Sequence, residues 1–286
     1  VRYSYYSGCS LHATAREFDL STRAVCRRLG IELAEIPDWN CCGATAAHST
    51  SHLLGVALAA RNLALAGEQG LDVLVPCAAC YQRLAVARKE MDQNSELWKR
   101  VVRITGRDYT DRVGIKSLLE VLAGLDSEQL AAQVVRPLEG LKVACYYGCL
   151  LVRPPAVTGF DDPEHPRTMD RLVRLAGAES VDWDYKTECC GAAQGVSNEP
   201  VALKLARDIL EVASRAGADC LVCACPLCQS NLDARQGHVN RAYGTSLKLP
   251  VMYFTQLLGL AFGFDERELG LDTLFVDPRP VIRALG

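Results

Sequence analysis

The sequence has no long apolar run, no leader-like opening and no excess of positive charge, and each absence removes a class of function. Its longest apolar stretch near the C-terminus, Val251 to Phe264, is 14 residues and contains Gln256, whereas crossing a bilayer takes about 20. That stretch reads as a core strand followed by a helix, with a surface for a partner or a membrane as the alternative. No basic segment followed by an apolar one opens the chain, so no signal peptide is expected and the protein is predicted to be cytoplasmic. Lys and Arg number 31 against 34 Asp and Glu, which argues against nucleic acid as a main partner. With 49% hydrophobic and 23% charged residues over 286 positions, neither disorder nor a fibrous repeat is expected, and the chain is long enough to bury a core.

Cysteine, in contrast, is abundant: 14 residues, at 9, 26, 41, 42, 77, 80, 145, 149, 189, 190, 220, 223, 225 and 228. A chain of this length needs no disulfide staples, and without an export signal clustered cysteines point to metal or redox chemistry. Their spacing is repeated. After Cys9 come 31 residues, then Cys41-Cys42-Gly43, then 34 residues from Gly43 to Pro76, then Cys77-Ala78-Ala79-Cys80. After Cys149 come 39 residues, then Cys189-Cys190-Gly191, then again 34 before Cys225-Pro226-Leu227-Cys228. A five-cysteine pattern met twice with one spacing identical is an internal duplication. The eight extra residues of the second copy fall in the Pro- and Asp-rich stretch Arg153 to Pro163, read as an inserted loop.

Hydrophobic patterning places the paired cysteines alike. Tyr3–Tyr6, Ile31–Ile36 and Asp72–Val75 read as strands in the first copy, and Leu141–Tyr147, Val181–Trp183 and Asp219–Val222 in the second. Helical patterns cover about 14–29, 51–68, 167–177 and 200–216. The fold class predicted is α/β, two pseudo-repeated β-α-β-α-β halves with parallel strands and cysteines at the strands' carboxyl ends, where such sheets bind ligands. The expected divisions are a first repeat over 1–91, a mostly helical linker over 92–140, and a second repeat over 141–286 that ends with the C-terminal strand and helix.

A tetrahedral zinc site needs four ligands, but each set offers five. Adjacent cysteines do not easily aim two sulfurs at one small ion, whereas they can reach neighbouring irons of a cluster. Ligand type and number therefore favour iron–sulfur binding, and surplus ligands imply something other than a four-cysteine cubane. Zinc in one set remains the alternative. No C-x2-C-x2-C-x3-C ferredoxin run is present, so electrons are expected to pass through a partner subunit.

The segments Tyr5-Tyr6-Ser7-Gly8-Cys9-Ser10-Leu11-His12, Ile36-Pro37-Asp38-Trp39-Asn40-Cys41-Cys42-Gly43-Ala44 and Tyr185-Lys186-Thr187-Glu188-Cys189-Cys190-Gly191 resemble the double cysteine-rich "CCG" domain found in the B-type subunits of heterodisulfide reductases. So do Tyr146 to Pro155 and Pro250 to Gly259, and the likeness spans essentially the whole chain. The resemblance implies two noncubane [4Fe-4S] clusters, one held by Cys9, Cys41, Cys42, Cys77 and Cys80, the other by Cys149, Cys189, Cys190, Cys225 and Cys228. It implies disulfide reduction or formation between them, on a small-molecule or protein-borne disulfide or thiol. It also implies two partners, a small subunit with conventional [4Fe-4S] clusters and a flavoprotein subunit. The same domain is similar to parts of succinate or fumarate reductases and of lactate or glycolate oxidases, so the alternative is an electron-transfer or anchoring module without disulfide chemistry.

Beside the cluster loops, His12 is a candidate proton donor and His48 a weaker one, because histidine titrates near neutral pH. Lys186 and Arg153 are candidates to hold an anionic substrate group. Cys26, Cys145, Cys220 and Cys223 read as buried packing thiols, and the Tyr5-Tyr6 and Tyr146-Tyr147 pairs as strand packing.

Overall fold

The computed structural model describes residues 1–109 and 113–284. Residues 110–112, inside the expected linker, and 285–286, at the end of the second repeat, lie outside the described residues.

Two four-stranded parallel sheets carry the same order. In the first, β1 (Arg2–Tyr5), β2 (Glu32–Glu35), β3 (Val73–Val75) and β4 (Ile115–Ser117) lie as β2-β1-β3-β4. In the second, β5 (Lys142–Tyr146), β6 (Glu179–Ser180), β7 (Cys220–Cys223) and β8 (Val251–Tyr253) lie as β6-β5-β7-β8. The inner strands β3 and β7 are wholly buried, as uninterrupted apolar runs in covered parallel sheets should be. Helices fill the crossovers: α1 (Arg16–Arg28), α2 (His52–Gln69), α3 (Ala78–Gln93) and α4 (Leu118–Ala123) in the first half. Their counterparts are α5 (Thr168–Leu175), α6 (Glu199–Arg215), α7 (Pro226–Asp233) and α8 (Phe254–Ala261).

The duplication is longer than the cysteine pattern alone suggests. Each half has a fourth strand and a fourth helix, so the stretch expected as a linker contributes β4 and α4 to the first sheet. The strand expected at Val181–Trp183 lies slightly earlier, at β6, and Trp183 turns away from the ladder to donate its indole N–H to the Cys145 carbonyl (3.2 Å). The apolar C-terminal stretch forms β8 and α8, and every residue of α8 is buried. The docking-surface alternative for this stretch is thereby corrected.

The halves exchange their last helices. Helix α8 of the second half packs on α1 of the first, and α4 of the first packs on α5 of the second. At the α8–α1 contact Phe18 stacks on Tyr253 with ring centroids 4.1 Å apart, and the Ser21 and Thr255 hydroxyls hydrogen-bond at 2.7 Å. At the other contact Arg171 donates to the Ala123 carbonyl. The inserted loop of the second half lies over α3, where Tyr81 and Lys89 donate to the Thr158 and Ala156 carbonyls. No helix among the described residues is long and apolar enough to cross a membrane.

Candidate metal centres

In this strand order successive strands are added first to one side and then to the other, switching between parallel β1 and β3 and again between β5 and β7, which opens a crevice at the carboxyl ends of those strands. The cysteines stand there. Cys9 follows β1, Cys41 and Cys42 follow β2, and Cys77 follows β3 as the residue capping α3, with Cys80 in its first turn. Cys149, the Cys189-Cys190 pair, Cys225 and Cys228 repeat those positions after β5, β6 and β7.

Within each set the sulfurs form close pairs. Cys9 and Cys41 are 3.7 Å apart, Cys42 and Cys80 3.3 Å, and Cys190 and Cys228 3.5 Å. The Cys149 thiol lies against that of Cys189. The glycine after each pair gives its backbone N–H to the outer sulfur, Gly43 to Cys41 and Gly191 to Cys189, each at 3.4 Å. Both glycines have φ of 78°, a left-handed backbone that other residues adopt only with strain.

The two sets meet. The Ala78 N–H donates to the Ala224 carbonyl at 3.1 Å, which brings the neighbouring Cys77 and Cys225 to the same junction. The reciprocal bond cannot form, because the residue matching Ala78 is Pro226, which has no N–H. A cavity of about 60 Å³ opens on the second set, lined by its five cysteines, Leu150 and Leu227, and by Ala78 from the first half. Cys9, Cys41 and Cys189 are exposed at the outer side, and Cys77, Cys80, Cys225 and Cys228 are buried at the inner side.

Thiolates, not thiols, bind metal, and the close pairs favour one. Hydrogen bonds from Cys41 and then Cys80 hold Cys42 down to about 4, and a hydrogen bond from Cys149 brings Cys189 to about 6. Metal–thiolate bonds of about 2.3 Å put two ligands of one tetrahedral ion about 3.8 Å apart, close to the pair separations seen. Among the described residues no group of three or more His, Cys, Asp or Glu is arranged around a single ion. The thiols stand instead as separate pairs around a volume, a donor set that fits a thiolate-held iron–sulfur group better than one zinc ion.

The remaining candidates are scattered. His12 is exposed in the turn after Cys9, edge-on to Trp39 with centroids 5.7 Å apart. His48 points Nδ1 at the Gly43 carbonyl, 3.4 Å away. Lys186 is buried and turned from the sulfurs: its ammonium donates to Asp170 at 2.6 Å, beside the Tyr147 and Ser180 hydroxyls on the same carboxylate. Arg153 is bound to the Pro163 carbonyl, Glu164 and Thr187. Cys26, Cys145, Cys220 and Cys223 are fully or almost fully buried, and burial pushes the Cys26 thiol up to about 12 and raises the other three. Two residues expected to be strand packing rather than redox relays, Tyr6 and Tyr146, lie beside the sets. Their place three residues before the first cysteine of each copy was the signal available in the sequence.

Residues 3–85 and 143–233 match the family model of a cysteine-rich domain, CCG. The chain is 35% identical to the 8-methylmenaquinol:fumarate reductase membrane anchor subunit of Wolinella succinogenes, covering 96% of this chain and 97% of that one. It is 34% identical to the B-type subunit of the ferredoxin/F420H2-dependent CoB-CoM heterodisulfide reductase of Methanosarcina acetivorans, over 95% and 93%. A crystal structure of a hypothetical protein from Helicobacter pylori shares the fold, with a TM-score of 0.80 at 16% identity, over 96% of this chain and 52% of that one.

Proposed function

Because the chain belongs to the cysteine-rich (CCG) domain family, in which it is similar to the B-type subunits of heterodisulfide reductases, we propose that it is the catalytic iron–sulfur subunit of a heterodisulfide-reductase-like complex. In this reading it reduces, or in the reverse direction forms, a disulfide between two noncubane [4Fe-4S] clusters. The observation that carries the reading is the meeting of the two cysteine sets where the Ala78 N–H, next to Cys77, donates to the Ala224 carbonyl, next to Cys225. A disulfide takes two electrons, and two clusters held side by side by these cysteines would supply them one each.

Cys9, Cys41, Cys42, Cys77 and Cys80 would hold one cluster, and Cys149, Cys189, Cys190, Cys225 and Cys228 the other. The Gly43 and Gly191 N–H groups steady the outer sulfurs, where hydrogen bonds to thiolate favour the ligating form. Substrate approaches from the outer side, past exposed Cys9, Cys41 and Cys189. His12 stands on that side with solvent access, suited to give a proton to a released thiolate. Lys186 serves the segment before Cys189, since its carbonyl receives the Tyr147 N–H while its ammonium neutralises Asp170. A flavoprotein and a small cluster-carrying subunit would supply the electrons.

The test is iron, acid-labile sulfide and disulfide turnover on protein prepared without oxygen. About eight iron and eight sulfide per chain are expected, and Cys189→Ser with Cys190→Ser should abolish turnover while the first set keeps its iron. Full turnover in that variant overturns the reading. It would favour the second one, an electron-transfer or anchoring module, which the 35% identity to a fumarate reductase membrane anchor subunit supports.

A further inference from the structure

We infer that Tyr6 and Tyr146 are positioning residues of the two cysteine sets, each ring forming the floor behind its sulfurs and each hydroxyl fixing the peptide that opens the Cys-Cys turn. The inference rests on the cofactor reading above. The hydroxyls of each adjacent tyrosine pair part in opposite directions, although Tyr147 also lines the cavity on the second set. Tyr5 turns to Asp19 on α1 and Tyr147 to Asp170 on α5 (2.7 Å each). Tyr6 and Tyr146 turn the other way, and both are completely buried.

Their hydroxyls make the same bond in both halves. Tyr6 donates to the carbonyl of Asn40 at 2.7 Å, and Tyr146 to the carbonyl of Glu188 at 2.5 Å. Those residues immediately precede Cys41-Cys42 and Cys189-Cys190. The acceptor is main chain, which is why its side chain is free to be Asn in one copy and Glu in the other. The rings and sulfurs share the space over a glycine. A Cβ on Gly8 would lie 3.3 Å from both Cys80 Sγ and Tyr6 Cε1, and one on Gly148 would lie 3.3 Å from Cys228 Sγ and 3.4 Å from Tyr146 Cε1. An aromatic edge carries partial positive charge and favours a neighbouring anionic sulfur. Each tyrosine thus combines a hydrogen bond to the turn with an edge towards the sulfurs, in two copies whose loops otherwise differ by eight residues.

The copies are not equally braced. Asn62 also donates to the Asn40 carbonyl, at 2.9 Å, while among the described bonds Tyr146 alone holds the Glu188 carbonyl. Loss of the second hydroxyl should therefore cost more.

Tyr6→Phe and Tyr146→Phe keep the ring and remove the bond, and Tyr5→Phe, whose hydroxyl is held by Asp19 rather than by the Cys-Cys turn, is the control. Oxygen-free protein is challenged with a ferrous chelator, and the reduced centres are followed by electron paramagnetic resonance. We expect about half the iron to leave roughly tenfold faster in Tyr6→Phe and faster still in Tyr146→Phe, as for other partners that orient metal ligands. The spectrum and midpoint potential of one centre should shift while the other stays put. Iron release and spectra unchanged in both variants, or equally changed in the Tyr5→Phe control, overturn the inference and leave the cofactor reading intact. A wild-type chain that takes up no iron overturns the cofactor reading and this inference with it.

Discussion

In the first half, the carboxylate behind the cysteine strand is at the rim: Asp19 takes the Tyr5 hydroxyl and an Arg23 guanidinium, with side chains 23% and 39% exposed. In the second half, Asp170 takes the Tyr147 and Ser180 hydroxyls and the Lys186 ammonium, with the ion pair 1% and 11% exposed. Both arrangements tie a tyrosine hydroxyl to a carboxylate and a cation, but one is solvated and the other is not. Next to the sulfurs the halves scarcely differ: the same glycine φ values, the same glycine-to-sulfur bonds and the same tyrosine-to-carbonyl bonds recur. Divergence after duplication has spared what touches the thiols and altered what surrounds them.

The comparison is most exposed at the ion pairs. Lys186→Met leaves Asp170 buried without its cation, and should destabilise the chain by about 3 kcal/mol, the low end for breaking a buried pair because two hydroxyls still donate. Arg23→Met at the rim should cost less than about 1 kcal/mol. Urea unfolding midpoints at constant slope report both, and equal losses would mean that burial is not what separates the halves.

A smaller difference concerns Asp233, whose counterpart in the first half is Ala85. Burial raises its carboxyl to about 6, against the N–H groups of Phe275 and Val276 and the Gln229 amide that donate to it. A carboxyl raised on folding holds its proton more tightly in the folded chain. Its stabilising contribution is complete below about pH 4 and is lost as pH rises through 6, a change of up to about 3 kcal/mol. Asp233→Asn should flatten that fall in urea unfolding of the metal-free chain across this window, and an unaltered slope would place its origin elsewhere.

The smallest effect is the unreciprocated bond between the halves. Ala78→Pro makes the first motif like the second and removes the N–H that Ala224 accepts, for a loss of about 1 kcal/mol. Pro226→Ala should change little. Thermal unfolding that ranks them the other way would show that the asymmetry lies outside these two turns.

The cysteine sets were legible in the sequence because ligand spacing is local and was printed twice. The strands ahead of them were legible because buried parallel strands are short, dense apolar runs such as Val73-Leu74-Val75. Strand β4 was not, since Ile115-Lys116-Ser117 has one strongly apolar residue and gains its strand character only by pairing with β3. The partner of Lys186 was equally hidden, for nothing local joins it to Asp170, 16 positions earlier. The sequence marked 14–29 as helical and Val251 to Phe264 as apolar core, but neither pattern announces which helix will cover the other.

That covering has a consequence for how the molecule is made. Because α8 shields α1 and α4 shields α5, each half wears its sibling's outer helix, as protomers do in a swapped dimer. Separated at the connection between them, either half would expose a bare apolar helix face. The chain thus resembles two protomers whose one-to-one pairing is fixed by a shared backbone.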